Sequence, residues 1–130
     1  MEKKFIPLKN LEVYKLSREL SKIGWDIYES LNWQDKKIMG DQFIRATDSV
    51  GANIAEGYGR FHFLDRIRFY YNSRGSLNEA ITHWLELLNE RGKVDEARCK
   101  QMKNIANRLS LKLNNFISST YKTKNDNKSQ

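Results

Sequence analysis

Apolar residues recur every three or four positions through four successive stretches of the chain, with only short connections between them. That spacing puts an apolar stripe on each of four helices, and no segment has the alternation of a strand. The first stretch, about Asn10 to Leu31, steps through Val13, Leu16, Leu20, Ile23, Ile27 and Leu31, with Asn10 as the expected N-cap. The second, about Asp35 to Glu56, carries Met39, Phe43, Ala46, Val50 and Ile54 on one face. It is expected to stop at Gly57 and Gly59, since glycine takes the left-handed conformation that ends many helices. The third, about Phe63 to Asn89, aligns Phe63, Ile67, Tyr70, Leu77, Ile81, Trp84 and Leu88, and Gly92 closes it. The fourth, about Asp95 to Tyr121, has Met102, Ile105, Leu109, Leu113 and Phe116. Short connections make consecutive helices antiparallel neighbours, so the predicted fold is all-α, an up-down-up-down antiparallel four-helix bundle. The bundle domain spans residues 1–121, and the polar residues 122–130 read as a disordered basic tail.

Composition narrows the function classes. A chain of 130 residues predicts one domain. The single cysteine, Cys99, excludes a disulfide framework or thiolate zinc site, and it is placed on a surface flank as an inert reduced thiol. No stretch approaches the ~18 apolar residues of a membrane span, and the opening residues break off before a secretory apolar region forms. A cytoplasmic protein with no membrane partner is expected. Its net charge is +7, and the excess is local: residues 92–121 carry six Lys or Arg against two Asp or Glu. Residues 1–10 and 122–130 are each +2, residues 11–31 are −1, and residues 32–91 are balanced. Such an excess favours polyanions, RNA or DNA first, against the plainer reading of surface solubility. The candidate nucleic-acid contacts are Lys100, Lys103, Arg108, Lys112, Lys122 and Lys124, with Arg68 from the third helix. The basic residues of the fourth helix scatter around its axis in this reading.

The helices carry more apolar surface than a lone bundle uses. Tyr14 and Trp25 share a flank of the first helix away from Leu20, Tyr71 sits on a wide third-helix arc, and Leu111 points away from Leu109. Aromatic residues on secondary stripes are enriched at protein interfaces, so these four are the candidate oligomer interface. The small residues of the second helix, with Gly51 at its centre, indicate a kink or a close helix approach. Arg74 falls within the third-helix stripe and requires a partner; antiparallel register offers Asp48, and offers Arg60 or Arg66 to Glu56.

No catalytic constellation is present. His62 and His83 lack companions at ligand spacing, so neither a metal nor a cofactor is expected. Gly57-Tyr58-Gly59 follows a helix, unlike a Rossmann or P-loop turn, and Ser49, Ser73 and Ser76 lack a histidine base. The chain reads as non-enzymatic. Residues 60–71 interleave arginines with aromatics in the manner of a nucleic-acid stacking surface. Spacing assigns Phe63, Ile67 and Tyr70 to the core and leaves only Arg68 clearly outward.

The run Asn53-Ile54-Ala55-Glu56-Gly57, then Gly59-Arg60, then Arg74-Gly75-Ser76-Leu77-Asn78-Glu79, resembles the bacterial four-helix-bundle family encoded by intervening sequences in 23S ribosomal RNA genes. The opening Leu11-Glu12-Val13-Tyr14 is similar too, so the likeness covers residues 8–120; Gly51 stands where family members often have proline. The resemblance implies a ring-shaped homopentamer, kinship with the accessory proteins of diversity-generating retroelements, and no catalytic residues. It marks Asn53, Glu56, Gly57, Arg60, Arg74, Gly75, Ser76 and Glu79 as signature positions, read here as structural. Two functions compete: a nucleic-acid-binding oligomer, RNA more than DNA, and a protein-interaction scaffold whose basicity is incidental.

Overall fold

The structure, a computed structural model, describes the backbone of residues 5–128 and the side chains of residues 5–123. It is the all-α antiparallel four-helix bundle that the apolar spacing predicts, with no strand among the described residues. A short 3₁₀ turn, Leu8–Asn10, leads into α1, Glu12–Ser30. Helix α2 covers 33–58, α3 covers 63–90, and α4 is Glu96–Lys128. Contacts run α1 to α2, α2 to α3, α3 to α4 and α4 back to α1, which closes a square in chain order. Leu20, Ile27, Phe43, Val50, Ile54, Leu88, Met102, Leu109 and Leu113 have essentially no exposed surface and fill its centre.

Several boundaries differ from the sequence expectation, each for a physical reason. Asn10 lies in the 3₁₀ turn, and α1 begins beyond it with Leu11 at the N-cap and no side-chain cap. Gly57 is helical and buried, and Gly59 has φ −81°, so neither glycine ends α2 in the left-handed region. Gly57 is there for packing: a β-carbon would sit 2.7 Å from Cε1 of Tyr70. Gly92 does take the left-handed conformation, at φ 68°. The Lys93 and Gly92 amides donate to Leu88 and Asn89 carbonyls, as in a Schellman ending. Helix α4 continues through Lys128, into the segment read from the sequence as a tail from residue 122; residues 129–130 lie outside the described residues.

Two π-helical segments, Lys36–Gly40 and Glu79–Leu85, interrupt α2 and α3. A π-turn adds a residue, so the buried positions of α3 jump from Ala80 to Leu85. Ile81 and Trp84, expected in the core register, are therefore only half-buried, as is Phe63. Gly51 answers the small-residue pattern as a close approach: a β-carbon there would lie 2.7 Å from Oγ of Ser17 on α1. Cys99 is buried, not on a surface flank, and burial raises its thiol pKa.

Candidate nucleic-acid interface

Helix α4 turns its Cys99, Met102, Ala106, Leu109, Leu113 and Ile117 side chains inward, which fixes what faces solvent. At about 100° per residue, Lys100, Asn104, Arg108, Leu111, Asn115, Ser118 and Lys122 then share an outer arc of about 80°. All seven are exposed. The other candidate cations of this helix sit on its flanks and are paired. Lys103 bonds Glu86 of α3, which raises its pKa, and Nζ of Lys112 lies 3.6 Å from the Glu12 carboxylate of α1. The scatter inferred from sequence thus resolves into two classes. Lys103 and Lys112 tie α4 to its neighbours, whereas Lys100, Arg108 and Lys122 have no carboxylate partner among the described residues. The side chain of Lys124 lies outside the described residues. A simple signal in the chain marks this face: residues 97–125 contain seven Lys or Arg and no Asp or Glu.

Arg68 is exposed as expected, 3.7 Å from Asp65 and with its guanidinium 5.3 Å from the Phe69 ring centre. It lies apart from Lys100 and Arg108, at the start of α3. There Arg60 also lies over Phe69, at 4.9 Å, and Arg66 over Phe63, at 5.6 Å.

Most of the signature positions serve local architecture. Asn53 donates to the Ser49 carbonyl at 2.9 Å, and Glu56 pairs with Arg60 one helical turn on. Arg66 does not join that pair; its Nε donates to the Arg60 carbonyl at 2.6 Å. Glu79 accepts from the indole of Trp84 at 2.9 Å, a five-residue reach made available by the π-turn between them. Arg74 is exposed and does not reach Asp48. It donates to Asn114 of α4 at 3.1 Å and lies 4.7 Å from the Tyr71 ring centre. The residue that turns toward α2 is Ser73, bonded to the Val50 carbonyl, while Asp48 accepts from Ser21. Arg74 and Gly75 border an open α3–α4 groove with Asn78, Asn107 and Ser110. A β-carbon at Gly75 would meet nothing within 4 Å, so packing inside the chain does not require glycine there, and Ser76 has no bond that explains it.

The four candidate interface residues do not form one patch. Tyr14 and Trp25 line the same shallow groove along the outer face of α1, rimmed by Lys9, Lys15, Arg18 and Lys22. Trp25 is half-exposed and stacks on Tyr28; Tyr14 is half-buried with Arg18 donating to its hydroxyl. Tyr71 lies beside the α3–α4 groove, while Leu111 stands on the outer stripe of α4. No helix among the described residues is long and apolar enough to cross a membrane.

No curated protein matches this chain. Among solved structures it is similar to a crystal structure from Bacteroides thetaiotaomicron described as a protein of unknown function from the S23 ribosomal protein family. The two share 26% identity over 81% of this chain and 97% of the other, with a TM-score of 0.74. The profile of the 23S rRNA-intervening sequence proteins matches residues 9–115, which takes in α1, α2, α3, the first part of α4 and every signature position described above. The chain belongs to the 23S rRNA-intervening sequence protein family.

Proposed function

We propose that the protein is a non-enzymatic, cytoplasmic homo-oligomer, a pentamer as the family resemblance suggests, that binds nucleic acid, RNA more than DNA, through the outer face of α4 and the basic chain ends. The observation that carries this reading is the unpaired stripe of Lys100, Arg108 and Lys122. Asparagines and serines fill the gaps between them, and these donate to phosphate and sugar oxygens without adding negative charge. Carboxylates, which would repel a phosphate backbone, are missing from residues 97–125. An oligomer multiplies the stripe by its copy number, and that multiplication offsets the small number of cations per chain.

The test is fluorescence anisotropy with labelled RNA across a salt series. Each lost phosphate contact lowers the salt slope by about 0.7 for a single strand and about 0.9 for a duplex. Lys100→Ala combined with Arg108→Ala should therefore flatten the slope by between about 1 and 2. Absence of binding at low salt rejects the reading. Light scattering tests assembly: a strict monomer at tens of micromolar rejects the oligomer, and Trp25→Glu should dissociate it while leaving the helical spectrum intact.

A second reading is a protein-docking scaffold, favoured by Trp25, Trp33 and Ile38 near the α1–α2 turn, exposed at 49%, 72% and 64%. Capture of a defined protein that survives nuclease treatment would select it.

A further inference from the structure

Up-down-up-down topology sends three chain segments to one end of the bundle: the residues before α1, the α2–α3 turn and the last turns of α4. The N-terminal segment is held there by Tyr58, whose hydroxyl donates to the Ile6 carbonyl and whose ring stacks on Phe5 at 6.1 Å. Tyr70 packs on Phe116 with 4.8 Å between ring centres, which sets the last turns of α4 beside the start of α3. Residues 5–12, 55–70 and 112–123, which meet at this end, contain six Lys or Arg against three Asp or Glu. The described acids among them are already engaged: Glu56 with Arg60, Asp65 with Arg68, and Glu12 with Lys112. Arg66 and Lys122 have no carboxylate partner among the described residues.

The same end leaves aromatic surface in water. Phe61, in the turn, is 87% exposed, and Phe5 and Leu64 are 80% and 63% exposed. The His62 ring meets the edge of Phe61 at 5.3 Å. The guanidiniums of Arg60 and Arg68 lie over the Phe69 ring and that of Arg66 over Phe63, so flat cationic groups occupy the same end of the bundle as the exposed ring. A hydrogen bond from Arg66 to the Arg60 carbonyl anchors the turn to α3, so Phe61 projects from a braced loop.

From this juxtaposition we infer that the α2–α3 end is a stacking site for single-stranded nucleic acid. Phe61 receives an unpaired base, and Arg66, Arg68 and Lys122 hold the flanking phosphates. Aromatic faces bordered by cations suit a strand whose bases are unstacked, since every base has a face to offer and the phosphates follow the charge. A duplex keeps its bases stacked inside and meets only the cations. This inference rests on the nucleic-acid reading above and adds to it the class of ligand and the place where bases are received.

The experiment compares labelled oligouridine, an abasic phosphodiester strand of equal length and an RNA duplex, using the full chain and its Phe61→Ala variant. Phe61 is almost wholly exposed, so the variant should fold, which a thermal melt verifies. Loss of one stacked base weakens binding by about 10-fold. The inference expects that loss for oligouridine, with the abasic strand and the duplex unchanged. An equal effect on all three, or no effect on oligouridine, overturns the stacking site and leaves the nucleic-acid reading standing. If the unmodified protein binds none of the three, both fall. The Lys100→Ala, Arg108→Ala variant should weaken all three alike, which separates the α4 stripe from the stacking end.

Discussion

The two ends of this bundle are built by opposite rules. At the end holding the α1–α2 and α3–α4 turns, the helix termini are closed from within. Asn32 accepts the Asp35 amide at 2.8 Å, Asp95 accepts the Arg98 amide at 2.8 Å, and Gly92 takes the conformation that a Schellman ending requires. The two turns are also tied together, with Lys93 3.0 Å from Asp35 and Arg91 donating to Sδ of Met39. Residues 26–43 and 82–98 there carry eight acids against five bases. At the other end Leu11 and His62 start α1 and α3 without a side-chain cap, cations prevail, and phenylalanines remain in water. Trp33 and Ile38 are exposed at the closed end too, so capping and charge, not exposed rings, separate the two. The closed end therefore reads as architecture and the open end as a place for a partner.

The comparison breaks if the open end proves to be merely loose. Its core says otherwise. Tyr70 is 1% exposed, packs on Phe116 at 4.8 Å between ring centres and sits against Gly57. Tyr70→Ala should cost about 3–5 kcal/mol in denaturant unfolding, the largest effect predicted here. Burial also pushes the Tyr70 hydroxyl up to about 12 from its ordinary 10.0. The folded state keeps that proton after an unfolded chain has begun to lose it. Its contribution is thus intact below pH 10 and declines as pH rises toward 12. Tyr70→Phe should flatten that decline, which pH-dependent melts can measure. At the closed end, Asp95→Ala should cost about 1 kcal/mol through loss of its cap, with RNA affinity unchanged. The smallest stability effect should be that of Phe61→Ala, within about 0.5 kcal/mol, although its effect on oligouridine binding is large. Stability and affinity would then be lost at opposite ends, which is the sharpest form of the comparison.

How much of this was legible beforehand varies by residue. Val13, Leu20, Ile54 and Leu109 were placed in the core by spacing alone, because a buried stripe on an isolated helix has only one periodicity. Leu85 was harder, since the π-turn that buries it breaks the period by one residue, and i→i+5 bonding has no plain sequence signature. Cys99 and Arg74 were misplaced for a related reason. A residue at the edge of a stripe turns inward or outward according to its neighbouring helix, and α4 supplied Asn114 where Asp48 of α2 was expected. Charge was only partly readable, because segment totals hide which carboxylates meet which cations. Glu86 lies seventeen positions before Lys103 along the chain, yet the two are paired.

Helix number, order and antiparallel direction follow from the sequence by itself, because apolar period and connection length leave one economical way to bury four stripes. The family signature and the acid-free run at 97–125 are likewise written in the chain. Only the tertiary structure decided which lysines are spent on neighbours and which remain free, because ion pairing depends on distances across helices. It alone gathered residues 5–10, the turn at Phe61 and the last turns of α4 at one end. Segments far apart along the chain become a common surface only when the bundle closes.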